Sequence, residues 1–134
     1  MRPKPAHLGD VYAEQFADPS VVEAYRRRPA YLDEAIRVLR TLLAEGSRTV
    51  LDVGCGRGDL TLPMASWAAR VDAVDPSAAM LEAARRRAGP ACTNVRWIHG
   101  RLEDVPLDGP YALATAGQSL HWTEWGVALP RLAD

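Results

Sequence analysis

The chain has 134 residues, of which 48% are apolar and 25% charged, with a formal net charge of −1; this is one domain's worth of chain with enough apolar mass for one core, and it excludes a disordered tail. Lys+Arg 16 against Asp+Glu 17 leaves no basic excess to mark a nucleic-acid footprint, and no run reaches the ~18 uninterrupted apolar residues of a membrane span. The opening MRPKPAHLGD has no apolar stretch behind its basic residues, so no secretory signal is expected, and the two cysteines, Cys55 and Cys92, fit a reduced, cytoplasmic setting better than a disulfide framework or a metal cluster.

Residues 1–17 carry no clear period. Asp18-Pro19 reads as an N-cap followed by proline at the first helical position. It opens a short helix through Tyr25 and Arg28 that Pro29 stops. A second helix is predicted from about 30 to 45. There Leu32, Ala35, Ile36, Leu39, Leu42 and Leu43 recur at three- and four-residue steps as one buried stripe, and Gly46 is the expected stop.

From residue 48 the pattern alternates strand and helix. A strand over 49–53 leads into the turn Gly54-Cys55-Gly56-Arg57-Gly58. A helix follows over 59–69, with Pro63 tolerated only in its first turn. A strand over 71–74 ends at Asp75-Pro76, and Ser77 caps a helix through Met80, Leu81 and Ala84 to Arg87. A third strand is predicted over 95–98, a loop over 100–110, a fourth strand over 111–116 and a helix from Trp122 onward. Strands alternating with helices imply a parallel sheet with crossover helices. The expected organisation is a single domain over 1–134, with a helical preface at 18–46 and a βα core at 48–134.

In such sheets ligands bind beyond the carboxyl ends of the strands. The glycine turn lets a ligand approach the backbone closely. A dinucleotide turn, G-x-G-x-x-G, would need glycine at 59, where this chain has Asp59, a carboxylate that would repel a pyrophosphate. The third glycine falls one place early, at Gly58, and Asp52 precedes the turn. That pattern suits a ligand with a carboxylate, an ammonium and no phosphate. Asp75 stands 21 residues beyond Gly54, where a carboxylate accepts from a ribose diol. An acid on the loop Gly100-Arg101-Leu102-Glu103-Asp104 can accept from an adenine amino group. Cys55 is expected to pack as a small residue in the turn, Trp97, Trp122 and Trp125 to stand in the core or pocket wall, and His99 to be packed and hydrogen-bonded.

Four segments in order, VLDVGCGRGDLT (50–61), VDAVDPSAAMLEAA (71–84), WIHGRLEDVPL (97–107) and YALATAGQSLHW (111–122), resemble consecutive motifs of the class I S-adenosylmethionine-dependent methyltransferases, in the branch labelled type 11 or type 25. The preface VVEAYRRRPAYLDEAIRVL is similar to the helices before the glycine turn in that branch. The resemblance implies an α/β, Rossmann-like parallel sheet in the order 3-2-1-4, the first four strands of the usual seven, with S-adenosylmethionine as cofactor. Asp52, Gly54 and Gly56, with Cys55 between them, would surround the methionyl part. Asp75 would hold the ribose hydroxyls, Pro76 and Met80 would pack on the adenine, and Leu102 and Glu103 would meet its edge. Arg28 would pair with the methionyl carboxylate. His121, just past the fourth strand, is the candidate base, and no metal is implied. Two positions depart from the pattern: Arg101 stands where many relatives have Asp, and Tyr111-Ala112 replaces an aromatic-Asp pair.

The implied activity is direct methyl displacement onto a small-molecule acceptor, with no membrane or nucleic-acid partner. The chain is short for this family, so weak turnover and self-association through the edge of the fourth strand are expectations. A catalytically inactive cofactor-binding or interaction module and an NAD(P)-dependent oxidoreductase are the alternatives.

Overall fold

Apolar runs of strand length separated by amphipathic helical segments fold here into one sheet with helices on its faces. The computed structural model describes residues 4–8, 14–43 and 48–133. In chain order the elements are 3-10 turns at Ala6–Leu8 and Glu14–Ala17, α1 (Pro19–Tyr25), α2 (Asp33–Leu42), β1 (Thr49–Val53), α3 (Thr61–Ala65), β2 (Arg70–Asp75), α4 (Ala78–Ala88), β3 (Val95–His99), β4 (Leu113–Thr115), a 3-10 turn at Leu120–Trp122 and α5 (Trp125–Ala133). The sheet order is β3-β2-β1-β4, and all three pairings are parallel.

Period-2 alternation sends successive side chains to opposite faces. On one face Val50 and Val71 pack with Leu60, Met64, Trp67 and Ala68, and α2 covers them through Ile36 and Leu39. Farther along that face Ala73 meets Leu81 of α4 and Cys55 of the glycine turn. On the other face Leu51, Val53 and Val74 pack with Leu102, Val105 and Ala128 of α5. Two local signals set the helix starts. The Asp18 side chain accepts from Ser20 N, with Pro19 at the first helical position, and Ser77 accepts from Met80 N.

Asp72 is buried on the α5 side. Arg70 Nε lies 3.1 Å from its Oδ1, Arg96 Nη1 3.6 Å from its Oδ2, and Tyr111 Oη donates to Oδ2 at 2.7 Å. A buried carboxylate is costly unless paired and hydrogen-bonded, and two arginines and a phenol supply that here. Tyr111, whose neighbour Ala112 takes the place of the acid in the aromatic-Asp pair, anchors the approach to β4 through Asp72, and Ala112 N donates to Thr49 O at 2.9 Å.

Four boundaries differ from expectation. The helix over 59–69 contracts to α3, because residues 56–60 continue the glycine turn; Pro63 does fall in its first turn, and helical bonding runs on to Ala68 N. The second helix starts at Asp33, since residues 30–32 enter it in extended form; Glu45 and the Gly46 stop lie outside the described residues. Its stripe is only half covered: Ile36, Leu39 and Leu43 pack on the core, whereas Leu32 is 75% and Leu42 59% exposed. β4 is three residues long, and the 3-10 turn at Leu120–Trp122 delays α5 to Trp125.

Candidate functional site

The carboxyl ends of β1, β2 and β4 converge on the glycine turn. Gly54, Gly56 and Gly58 all have positive φ (64°, 54° and 84°), a conformation that costs other residues roughly 1–2 kcal/mol. Gly58 N donates to Cys55 O at 2.9 Å, and Cys55 N to Val74 O at 3.0 Å. Asp75, 6% exposed, completes the arrangement. Its Oδ2 accepts from Gly56 N and its Oδ1 from Ser77 N, both at 2.8 Å. Each oxygen keeps a further lone pair. Burial pushes the Asp75 carboxyl above its ordinary range, and the Ser77 and Gly56 N–H bonds oppose that rise.

Two cavities flank the turn. The first, about 460 Å³, is lined by Gly54, Gly56, Asp75, Pro76, Met80, Leu102, Glu103 and Arg28, joined by Phe16, Tyr25, Gln118 and Trp122 among others. Its volume lies within the range of small-molecule sites, ~300–1,000 Å³. The second, about 420 Å³, is lined by Asp52, Cys55, Arg57, Tyr31 and neighbours. Both share a wall that includes Gly54, Gly56, Arg28 and Gln118.

Asp52 is more enclosed than its sequence position suggests. It is 1% exposed; Thr61 Oγ1 donates to Oδ2 at 2.5 Å and Thr115 Oγ1 to Oδ1 at 2.9 Å. The carboxylate thus ties β1 to α3 and β4. Burial raises its pKa to about 6, against the two hydroxyl bonds. Burial, with Asp52 and Asp75 nearby, also holds the Cys55 thiol well above its ordinary value, so it stays protonated and unreactive at neutral pH.

Glu103 lines the first cavity, but its Oε1 already accepts from Glu124 N and lies 3.4 Å from Arg101 Nη2. Burial raises its pKa; the backbone bonds and Arg101 outweigh burial, and the carboxyl stays below its ordinary value. His121 lines neither cavity. The 3-10 turn puts Trp122 on the first cavity's wall, with the His121 ring tilted against it, centroids 4.5 Å apart. His99 is exposed rather than packed, with Nε2 3.0 Å from Pro76 O.

The cavity's cover has no local signal in the sequence. Phe16, from the aperiodic first 17 residues, packs edge-on against Tyr25 at 5.5 Å and Trp122 at 5.9 Å, and its carbonyl accepts from Ser77 Oγ. Ser119 closes on the turn from β4 and donates to Val53 O.

A parallel sheet in this order, with a glycine turn after β1 and a carboxylate closing β2, defines a Rossmann-like, class I methyltransferase fold. Comparison with known proteins agrees. The model of the methyltransferase domain family matches residues 50–133. An uncharacterized methyltransferase of Mycobacterium bovis is 37% identical over 116 residues, 85% of this chain and 45% of that protein. A putative type II methyltransferase from Anaeromyxobacter dehalogenans superposes with a TM-score of 0.65 at 32% identity, over 78% of this chain and 43% of that one. Magnesium protoporphyrin IX methyltransferase from Synechocystis PCC 6803, solved with S-adenosylmethionine bound, shares the fold with a TM-score of 0.68 at 21% identity, over 92% and 69% of the two chains. The chain belongs to the methyltransferase domain family, and it spans a little under half the length of its mycobacterial relative.

Two predictions follow from the local geometry. A Cβ at Gly54 would overlap Ser119 Cβ, whereas one at Gly56 meets nothing within 4 Å. Gly54→Ala is therefore expected to cost about 2–5 kcal/mol, strain plus overpacking, and Gly56→Ala only about 1–2 kcal/mol. Urea denaturation of the two variants checks this, and a reversed order contradicts it. The second prediction concerns Asp52. The native state keeps its proton over a range in which the unfolded chain, with a carboxyl near 3.8, has released it. Stability from this group is thus fully present below the unfolded value and is lost as pH rises through about 6. Asp52→Asn should flatten the stability profile between pH 4 and 7 by up to about 3 kcal/mol; parallel profiles for variant and wild type would contradict the assignment.

Proposed function

We propose that the chain binds S-adenosylmethionine across the carboxyl ends of β1 and β2 and takes part in direct methyl transfer to a small-molecule acceptor. The observation that carries this reading is Asp75. It is fixed by two backbone N–H groups at 2.8 Å, has acceptor capacity left on both oxygens, and lines a cavity of about 460 Å³. A ribose diol fits that acceptor pair. Gly56, open on its Cβ side, leaves the backbone clear for a ligand beside it. Pro76, Met80 and Leu102 supply apolar walls for a purine, and Arg28 a cation for a carboxylate.

When bound, the cofactor supplies a methyl group already activated by its sulfonium. The chain's residues bind and align. Asp75 sets the nucleoside, and the turn sets the distance of the tail from the backbone. The Phe16–Tyr25–Trp122 cluster forms one wall of the first cavity. Alignment of this sort is worth up to ~7–11 kcal/mol in ideal cases. No base is assigned, because His121 lies outside both cavities and displacement requires one only when the acceptor must lose a proton. The nearly neutral charge supports a small acceptor over a nucleic acid.

Asp75→Asn tests the reading. S-adenosylhomocysteine should bind the variant about 10–100-fold more weakly than wild type, the loss of charge-assisted hydrogen bonds worth ~1.5–3 kcal/mol. Titration calorimetry measures it, with circular dichroism as the check on folding; an unchanged affinity removes Asp75 from the site.

A further inference from the structure

Gln118 has a φ of 59°, and it is the single positive-φ residue other than glycine among the described residues. Such strain persists only where the surroundings impose it, and it collects at ligand clamps. The surroundings here are specific. Gly117, just before it, has no room for a Cβ beneath the Tyr31 hydroxyl and Leu60, so the chain leaves β4 along one path. That path brings Gln118 Oε1 within 3.0 Å of Arg28 Nη1, ninety positions away in sequence. Arg28 Cζ also sits over the Tyr25 ring, 4.1 Å from its centroid. Both partners are neutral. They orient the guanidinium without cancelling its charge, unlike Arg26 or Arg87, which pair with Glu23 and Asp59. Arg28 and Gln118 stand on the wall that the two cavities share.

We propose that Gln118 is a positioning residue: it presents the Arg28 guanidinium, which has no acidic partner among the described residues, to the carboxylate of the cofactor's amino-acid tail, and so makes the site prefer the complete cofactor skeleton over its tail-less nucleoside fragments. The inference rests on the proposed S-adenosylmethionine site. A carboxamide serves this purpose where a carboxylate fails. It holds the guanidinium by one hydrogen bond and leaves the remaining donors and the full charge for a planar, two-oxygen anion. An acid at 118 would form the ion pair internally.

The test compares two probes on the whole chain by titration calorimetry: S-adenosylhomocysteine, which has the tail, and 5′-methylthioadenosine, which lacks it. Wild type should bind the first more tightly. Gln118→Glu should weaken S-adenosylhomocysteine at least tenfold and leave methylthioadenosine within twofold. Gln118→Gly should weaken S-adenosylhomocysteine several-fold, spare methylthioadenosine and raise the melting temperature, because glycine accepts the left-handed backbone without strain. That opposition between affinity and stability is not what a purely structural residue would give. Equal losses for the two probes, or no loss for either, overturn the inference while the cofactor site stands. A wild type that binds neither probe overturns the cofactor site and the inference together.

Discussion

One carboxylate organises the carboxyl-terminal end of this sheet. The turn after β1 has three left-handed glycines in five residues and few hydrogen bonds of its own, so something outside it must fix its shape. Asp75 does so by accepting Gly56 N with one oxygen and Ser77 N with the other. The first bond ties the turn to the end of β2, and the second sets the residue that caps α4. Asp75 is almost fully buried, and charge-assisted bonds of this kind are among the stronger ones available. The glycine turn, the end of the second strand and the start of the following helix therefore move as one unit, and the cavity inherits their rigidity.

The sheet carries two further buried acids, handled differently. Asp72 faces two arginines and a tyrosine at the α5 side. Asp52 faces only hydroxyls, from Thr61 and Thr115. Hydroxyl donors satisfy the oxygens without neutralising the charge, which is why burial lifts the Asp52 carboxyl to about 6. The consequence is a local cost in stability at neutral pH, located directly behind the glycine turn. Perturbed carboxyls collect at functional sites, and on the proposed reading a tail bearing an ammonium would offset this cost.

Much of the architecture was legible because its causes are local. Apolar runs of four or five residues, a helix cap at Ser77, Pro19 behind Asp18 and the glycine cluster each act within a few positions, and together they mark the alternating strands and helices and the place of Asp75; the order of the strands and the places of Pro76 and Met80 are legible only through the resemblance to the methyltransferase family. What sequence could not show depends on long-range closure. Phe16 reaches the site because Ser77 holds its carbonyl across 61 positions, with no periodic signal to announce it. Gln118 takes a conformation that its residue type disfavours, next to a Gly117 packed under Tyr31 and Leu60. His121 and Trp122 differ by one step in a 3-10 turn, and that step decided which of them reaches the cavity. Half of the α2 stripe was misjudged for a related reason: periodicity fixes a face, but the neighbour available to cover it is a tertiary matter.

On the proposed reading, the bend from Asp52 to Gly58, braced by Asp75, is shaped for an adenosyl amino acid and not for a dinucleotide. Calorimetric titration of the unmodified chain with S-adenosylhomocysteine, and separately with NAD, tests it directly. The account predicts saturable binding of the first with one site per chain and no measurable heat from the second. Saturable binding of NAD, with S-adenosylhomocysteine silent, would contradict it.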